Sequence, residues 1–252
     1  MKKRAFVRYS KQGKIVPGSL ILTAGSYPQG SSTWREVSAD LCCLQPQDYS
    51  SCVALQAVGD GTFSYGFGLQ TANSGPNLTG SIYWTSGNVE HFSLPANGTT
   101  YSLGYNFGDQ NLHTVYLCVN NPSQLRDFEL GNGPGFTTSV NNAYKLNGIE
   151  EWDSDNMQIG SLDLSGLTSL TQLFHSSSML AFVNITDCVK LNNVDLIDNS
   201  LFPQTVDHIL TTLDNNGLSN GFVDVSGGTS AAPSVAPVIL NLQAKGWTVN
   251  TN

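Results

Sequence analysis

An internal repeat of 21 residues constrains this chain more than any other feature. IGSLDLSGLTSLTQLFHSSSML, beginning at Ile159, aligns on LAFVNITDCVKLNNVDLIDNSL, beginning at Leu180. Leu162, Leu164, Leu167, Leu170 and Leu173 map to Val183, Ile185, Cys188, Leu191 and Val194; Ile159 maps to Leu180, and Leu180 to Leu201. A fixed period that keeps its apolar register at seven positions predicts a leucine-rich solenoid. Each coil of such a stack leaves an apolar flank that only a neighbour covers, and about three units are normally needed. Two clear copies therefore need caps. Lys145–Trp152 is expected in front of them and everything after Leu201 behind.

The tail suits that need. PQTVDHILTTL places Val206, Ile209, Leu210 and Leu213 on one helical face, with Pro203 in the first turn and Gly217 past the end. GFVDVSGG repeats the strand pattern of SLDLSG. SVAPVILNLQAKG predicts a second helix, with Pro233 near its start and Gly246 after it, and WTVN predicts a last strand.

Residues 46–130 read as all-β. CVALQAV, FSYGFGL, GSIYW, VEHFSL, TYSLGYNF and HTVYLCV recur between the turn sequences GDG, NSGPN, SGN, PANG and GDQN, a spacing that predicts a β-sandwich. Tyr83, Tyr101, Tyr105 and Tyr116 are expected to supply most of its core area. Trp34, Trp84, Trp152 and Trp247 fall one to a segment, as core anchors do. Upstream, residues 4–23 predict a β-hairpin: AFVRY and IVPGSLILT flank a polar turn with Gly13, and Pro17 sits at a strand edge or bulge. That first module, about 45 residues, is small for an independent core and is expected to fold against something else.

Charge follows the same division. Residues 1–35 hold seven basic side chains and no acid, whereas residues 36–252 hold four basic and all nineteen acidic ones, so +7 and −15 make the net −8. A body at −15 repels nucleic acid, which leaves the basic end to meet an acidic partner. Charged residues are only 12%, with Gly, Ser, Thr and Asn carrying the polarity instead. No apolar run reaches the ~18–20 residues of a membrane span. MKKRAFVRYSKQ lacks the apolar stretch of a secretory signal behind its basic start. Cys42, Cys43, Cys52, Cys118 and Cys188 are odd in number and irregularly spaced, with no His at zinc spacing, so free, mostly buried thiols in a reducing compartment are expected.

Motifs that carry chemistry are few. GGTSAAPSVAP at 227–237 resembles the nucleophile segment of subtilisin-like proteases, with Ser230 in the nucleophile's place. A triad needs a histidine base and an orienting carboxylate. His91, His113, His175 and His208 lie outside any HGT-like segment, and no Asp has that family's context, so a Ser/Gly loop at a helix start is the simpler reading. EEWDSD offers oxygen ligands at Glu150, Glu151, Asp153 and Asp155 but lacks a glycine-hinged twelve-residue calcium loop; it reads as a solvated acidic turn. NLT, NGT and NIT match the glycan acceptor pattern and carry no weight without a leader. No catalytic residue, metal site or cofactor is expected.

Three resemblances cover most of the chain. KRAFVRYSKQGKIVPGSLILTAGSYPQGSSTWREVSADLCC looks like the opening module of several virion structural proteins of crAss-like phages and related phages of Bacteroidetes. GSIYWTSGNVEHFSLPANGTTYSLGYNF with HTVYLCV resembles the PKD/immunoglobulin-like domains of that host group; their WGDGT turn is here WTSGN at 84–88, so roles tied to its Asp do not carry over. SLDLSGLTSLTQLFHSSSML resembles bacterial-surface leucine-rich repeats of the LDVSGCTALTxLxCSSNQL type, with Leu167 and His175 in place of the cysteines and Ser178 in place of the Asn.

The reading is thus a mixed, β-rich multidomain chain: an anchor module (1–45), an Ig/PKD-like β-sandwich (46–130) and a short leucine-rich-repeat solenoid with an α/β C-terminal cap (131–252). The first resemblance implies a non-enzymatic virion structural protein, a head fibre or decoration protein made in the host bacterial cytoplasm. Arg4, Phe6, Arg8, Tyr9, Lys14 and Trp34 would dock it on other virion proteins of capsid or fibre. The alternative is a host-surface adhesin or tail-associated receptor-binding protein, with His175, Asn184 and Asp195 on the face that takes a host glycan or protein. Trimeric fibres show long apolar heptads; none occurs here, which leaves a monomer or homodimer.

Overall fold

A computed structural model describes residues 4–8, 21–23, 34–37, 49–62, 64–85, 88–131, 135–230 and 232–252. The chain divides into two compact units, Met1–Asp48 and Tyr49–Asn252. In the first, β1 (Arg4–Arg8) is the centre of a three-stranded antiparallel sheet. β2 (Ile21–Thr23) pairs with it as the expected hairpin partner, Arg4 opposite Thr23, and β3 (Trp34–Val37) lines its other edge, Arg8 opposite Trp34. The turn of that hairpin, with Gly13 and Pro17, lies outside the described residues.

The second unit is built in two layers. β4 (Val53–Val58), β6 (Leu78–Thr85), β7 (Asn88–Leu94), β9 (Leu112–Val119) and β11 (Phe136–Asn141) form a five-stranded antiparallel sheet. Facing it, β5 (Ser64–Thr71), β8 (Thr100–Asn106) and β10 (Leu125–Glu129) start a sheet of eight. That sheet continues in parallel through β12 (Glu151–Asp153), β14 (Gln172–Phe174), β16 (Asn193–Asp195), β17 (Phe222–Asp224) and β18 (Thr248–Asn250). Behind the parallel strands stand β13 (Ser161–Asp163) and β15 (Phe182–Asn184), then α1 (Pro203–Asn216) and α2 (Ala236–Ala244).

The 21-residue period sets the register directly: Glu151, Gln172 and Asn193 are rung partners, as are Leu162 and Val183. Each period holds two strands, not one, because a left-handed turn follows each strand from β12 to β17, with an Asx turn at five of the six. Asp153, Asp163, Asn184, Asp195 and Asp224 each accept a hydrogen bond from the N–H two residues on. Three residues after the strand end the backbone turns left-handed, at Asn156, Gly166, Ser177, Asp187, Asp198 and Gly227. An Asx turn followed by an αL residue folds the chain back sharply, and Asn, Asp and Gly tolerate it best. The helices are insertions into this scheme. They stretch the step from Asn193 to Phe222 to 29 residues and from Phe222 to Thr248 to 26. α1 ends on Gly217 in the left-handed region, φ 72°, as its sequence predicts.

The sheets cross the boundary expected between 130 and 131. β11 returns to pair with β4, and β10 hands the front sheet on to β12. The physical reason is a shared core. Phe128 and Trp152 are both fully buried and meet edge to face at 5.1 Å, so the last antiparallel strand templates the first parallel one. Trp84, Trp152 and Trp247 are core anchors. Of the four tyrosines expected to supply most of the core, none is fully buried: Tyr83, Tyr101, Tyr105 and Tyr116 are half-buried, and of them Tyr105 packs against the core, stacked on Trp84. Side chains alternate faces along a strand. Tyr83 lies between inward Ile82 and Trp84, and Tyr116 between inward Val115 and Leu117, so both point outward. The aromatic core is Tyr65, Phe67, Trp84, Phe92, Phe128 and Trp152.

The expectation of free thiols is also corrected. Cys52 and Cys118 are joined by a disulfide, and Cys188 is free and buried. Val53 pairs with Leu117 across β4 and β9, which brings the flanking cysteines together although 66 residues separate them in sequence. Cys42 and Cys43 lie outside the described residues.

Candidate functional site

The outward face of the eight-stranded sheet gathers six of the chain's nineteen acidic side chains into two rows. Inward positions on β10, β12, β14, β16 and β17 are Phe128, Trp152, Leu173, Val194 and Val223, all fully buried. Their neighbours therefore point out. One row runs Asp127, Glu151, Gln172, Asn193, Phe222; the other runs Glu129, Asp153, Phe174, Asp195, Asp224. No lysine or arginine stands in either row.

Side-chain hydrogen bonds run along the rows and on to the flanking strands. Asn193 Nδ2 donates to Gln172 Oε1 at 3.2 Å, and Gln172 Nε2 donates to Glu151 Oε2 at 2.8 Å. Thr100 Oγ1 donates to Glu129 Oε1 at 3.1 Å, and Asn250 Nδ2 to Asp224 Oδ2 at 2.9 Å. Asp127 is the most enclosed acid, 6% exposed, and its Oδ1 has no hydrogen-bond partner among the described residues. Burial first, then the Glu151 and Glu129 charges, push its carboxyl well above the usual carboxylate range. Burial likewise raises Glu151, Asp153 and Asp195. At Asp224 burial also acts upward, but hydrogen bonds from Ser226 and Asn250 outweigh it and the group sits below the usual range. Half-buried Phe174 and Phe222 add apolar surface to this face. Such a surface offers acceptors and aromatic edges to a ligand rich in hydroxyl or ammonium donors.

Sequence reasoning found little of it. Asp195 stands in the second row, its Oδ1 already accepting the Ile197 N–H. Asn184 belongs to the other layer, on β15, and caps its own turn by accepting from Thr186 N and Oγ1. His175, expected on an exposed strand face, is completely buried. It sits one residue past the end of β14, where the inward alternation continues; Ser154 and Leu196, each 21 residues away, are buried too. His175 Nδ1 bonds Ser154 Oγ at 2.8 Å, the same oxygen that accepts Trp152 Nε1, and its Nε2 has no partner among the described residues. The three residues share no face. The two rows were marked in sequence only by the step Glu151, Gln172, Asn193; Asp127 and Glu129 fall before the repeat begins.

Of the docking residues, Arg4, Phe6 and Arg8 lie on β1 and Trp34 on β3, while Tyr9 and Lys14 lie outside the described residues. Ser230 is buried, and its Oγ accepts the Leu201 N–H at 3.3 Å while its N–H turns back on the Gly227 carbonyl. The acids of EEWDSD disperse: Glu150 pairs with Arg126 at 3.2 Å, Glu151 takes Gln172, and Asp155 accepts the Ser176 N–H. Among the described residues no three His, Cys, Asp or Glu side chains are grouped to hold a metal ion. No helix among them is long and apolar enough to cross a membrane. The chain matches no known family, curated protein or solved structure.

Proposed function

We propose that this chain is a non-enzymatic phage virion structural protein, a head fibre or decoration protein docked through its first unit. The observation that carries the reading is the coincidence of three boundaries. The contact division at Asp48/Tyr49, the change from +7 to −15, and the end of the most specific resemblance fall within about a dozen residues of one another. In this reading Arg4, Phe6, Arg8, Tyr9, Lys14 and Trp34 meet capsid or fibre partners. The antiparallel half of the second unit is an Ig/PKD-like sandwich, and the parallel half a short leucine-rich-repeat solenoid with an α/β cap. The Cys52–Cys118 disulfide suits a particle surface that leaves the reducing cytoplasm on release. The test is incorporation. Particles assembled with a chain lacking residues 2–48 should contain none of it, while circular dichroism shows the remainder folded. Normal incorporation of the truncated chain overturns the reading.

A second reading, a host-attachment protein, is favoured by the two outward rows. Acids and amides that accept hydrogen bonds, interleaved with Phe174 and Phe222, suit a host glycan or a basic surface protein. A glycan array probed with the whole chain and with Gln172→Ala separates the two: binding lost in the variant supports attachment, and no binding leaves the structural role alone.

A further inference from the structure

Four of the six acids on the outward face crowd the junction where the antiparallel strands of the front sheet give way to the parallel ones. Asp127 on β10 stands opposite Glu151 on β12, and Glu129 stands opposite Asp153. Three of the four are supplied with neutral donors. Glu129 accepts from Thr100 Oγ1, Glu151 from Gln172 Nε2, and Asp153 Oδ1 from the Asp155 N–H. Asp127 is the exception. It is 6% exposed, and its Oδ1 has no partner among the described residues.

The groups that face Asp127 bring it no positive charge. β12 presents Glu151 and Asp153 on one side. On the other, β5 places neutral Gln70 opposite it and carries no charged residue anywhere along its length. Its own strand adds Glu129 two residues on, and the one cation of that strand, Arg126, is taken up by Glu150 at 3.2 Å. The Asp127 carboxyl nonetheless hydrogen-bonds the Glu129 side chain. Ionised carboxylates only accept, so a hydrogen bond between two of them needs one proton. Burial first, then the charges of Glu151, Glu129 and Asp153, keep that proton on Asp127.

We propose that Asp127 and Glu129 share one proton, and that this proton latches the parallel half of the second unit to the antiparallel half. Once it leaves, two adjacent strands carry four negative charges, one of them buried without a donor. β12 rests on β10 through three rungs, and β14 and β16 follow β12 in the sheet. The parallel half then opens, while the disulfide still ties β4 to β9. Unfolded, Asp127 releases its proton in the ordinary carboxylate range; folded, it keeps the proton to higher pH. The latch is therefore complete at low pH and is lost as pH rises through the raised value. It lies wholly in the second unit and stands apart from what the first unit docks on.

Cys188, free and buried between β15 and β16, reports opening of the parallel half. Its alkylation in the full chain, resolved by peptide mass and referred to the denatured chain at the same pH, should become at least about tenfold faster from pH 6.5 to pH 9. Peptides of β4 and β9 should keep their hydrogen-exchange protection at both pH values. Asp127→Asn cannot ionise but can still donate to Glu129, so its Cys188 alkylation should change by less than about twofold. Carbon-13 NMR of the wild-type carboxyl groups gives a readout that needs no variant: a carboxyl still protonated at pH 6.5 should lose its proton by pH 9. Complete ionisation of the carboxyls at pH 6.5 overturns the proposal. So does Cys188 protection that is indifferent to pH, that responds equally in Asp127→Asn, or that is lost together with the protection of β4 and β9.

Discussion

His175 is the residue whose placement has the plainest energetic consequence. It occupies an inward position of the parallel stack, and burial pushes its imidazole down to about 4. Unfolded, the same ring titrates near 6.5. Between those values the unfolded chain binds a proton that the folded chain refuses, so this group removes stability as pH falls from about 6.5 to 4. The loss approaches about 3 kcal/mol, at 1.36 kcal/mol for each unit of difference. The acids of the outward face have the opposite sign. Asp127, Glu151 and Asp153 are raised in the fold, so they stabilise it as pH falls, on protonation. The difference between wild type and His175→Leu isolates the histidine from them. Leucine fits the position, because Leu196 fills it one repeat later. Urea unfolding at pH 7 and pH 4.5 should show the variant gaining over wild type by about 2 kcal/mol more at the lower pH. An equal gain at both pH values means that the ring is protonated in place.

At the scale of elements, the disulfide is the clearest departure from what the residues announce. It joins the ends of β4 and β9, adjacent strands of the five-stranded sheet. A cross-link closing 66 residues restricts the unfolded chain by about 4 kcal/mol in the chain-entropy account. For a body of this size that corresponds to roughly 10 °C in melting temperature. Melting with and without reductant, in wild type and in Cys52→Ala/Cys118→Ala, checks it: reduction should lower the wild-type midpoint and leave the variant's unmoved. A wild-type midpoint indifferent to reductant removes the disulfide from the account. The pairing was illegible because cysteine spacing reports nothing about which strands are neighbours; that is decided by the β4–β9 register. Elements defined by a local period were legible. The 21-residue step, α1 with its Pro203 and Gly217, and the strands at 222 and 248 all follow from apolar spacing and turn residues close in sequence. The outward tyrosines, the return of β11 to β4 and the acidic rows were not. Each depends on which of two alternating faces meets a distant partner, and one residue of phase reverses the answer.

For the second unit as a whole, the decisive junction is β10 with β12. It joins an antiparallel half that closes contacts across long loops to a parallel half whose coils rest mainly on their neighbours. Stacks of the second kind melt piecemeal when their interfaces are weak. Here the junction is strong. Three rungs pair from Asp127–Glu151 to Glu129–Asp153, and the Leu130 N–H reaches the Asp153 carbonyl at 2.7 Å. The Glu150 N–H reaches the Arg126 carbonyl, also at 2.7 Å. Phe128 and Trp152 fill the space beneath, and the buried core runs unbroken from Val53 to Trp247. Residues 49–252 should therefore unfold as one cooperative body. In hydrogen exchange against urea, peptides from β4 and β9 and peptides from β14 and β16 should open with the same free energy. Trp152→Ala removes the shared side chain at a cost of about 3–5 kcal/mol. It should also separate the halves, with β14 and β16 opening before β4 and β9, because the sandwiched aromatics and the disulfide remain only on the antiparallel side. Separate opening energies in the wild-type chain would show that the continuous sheet joins the halves without coupling them.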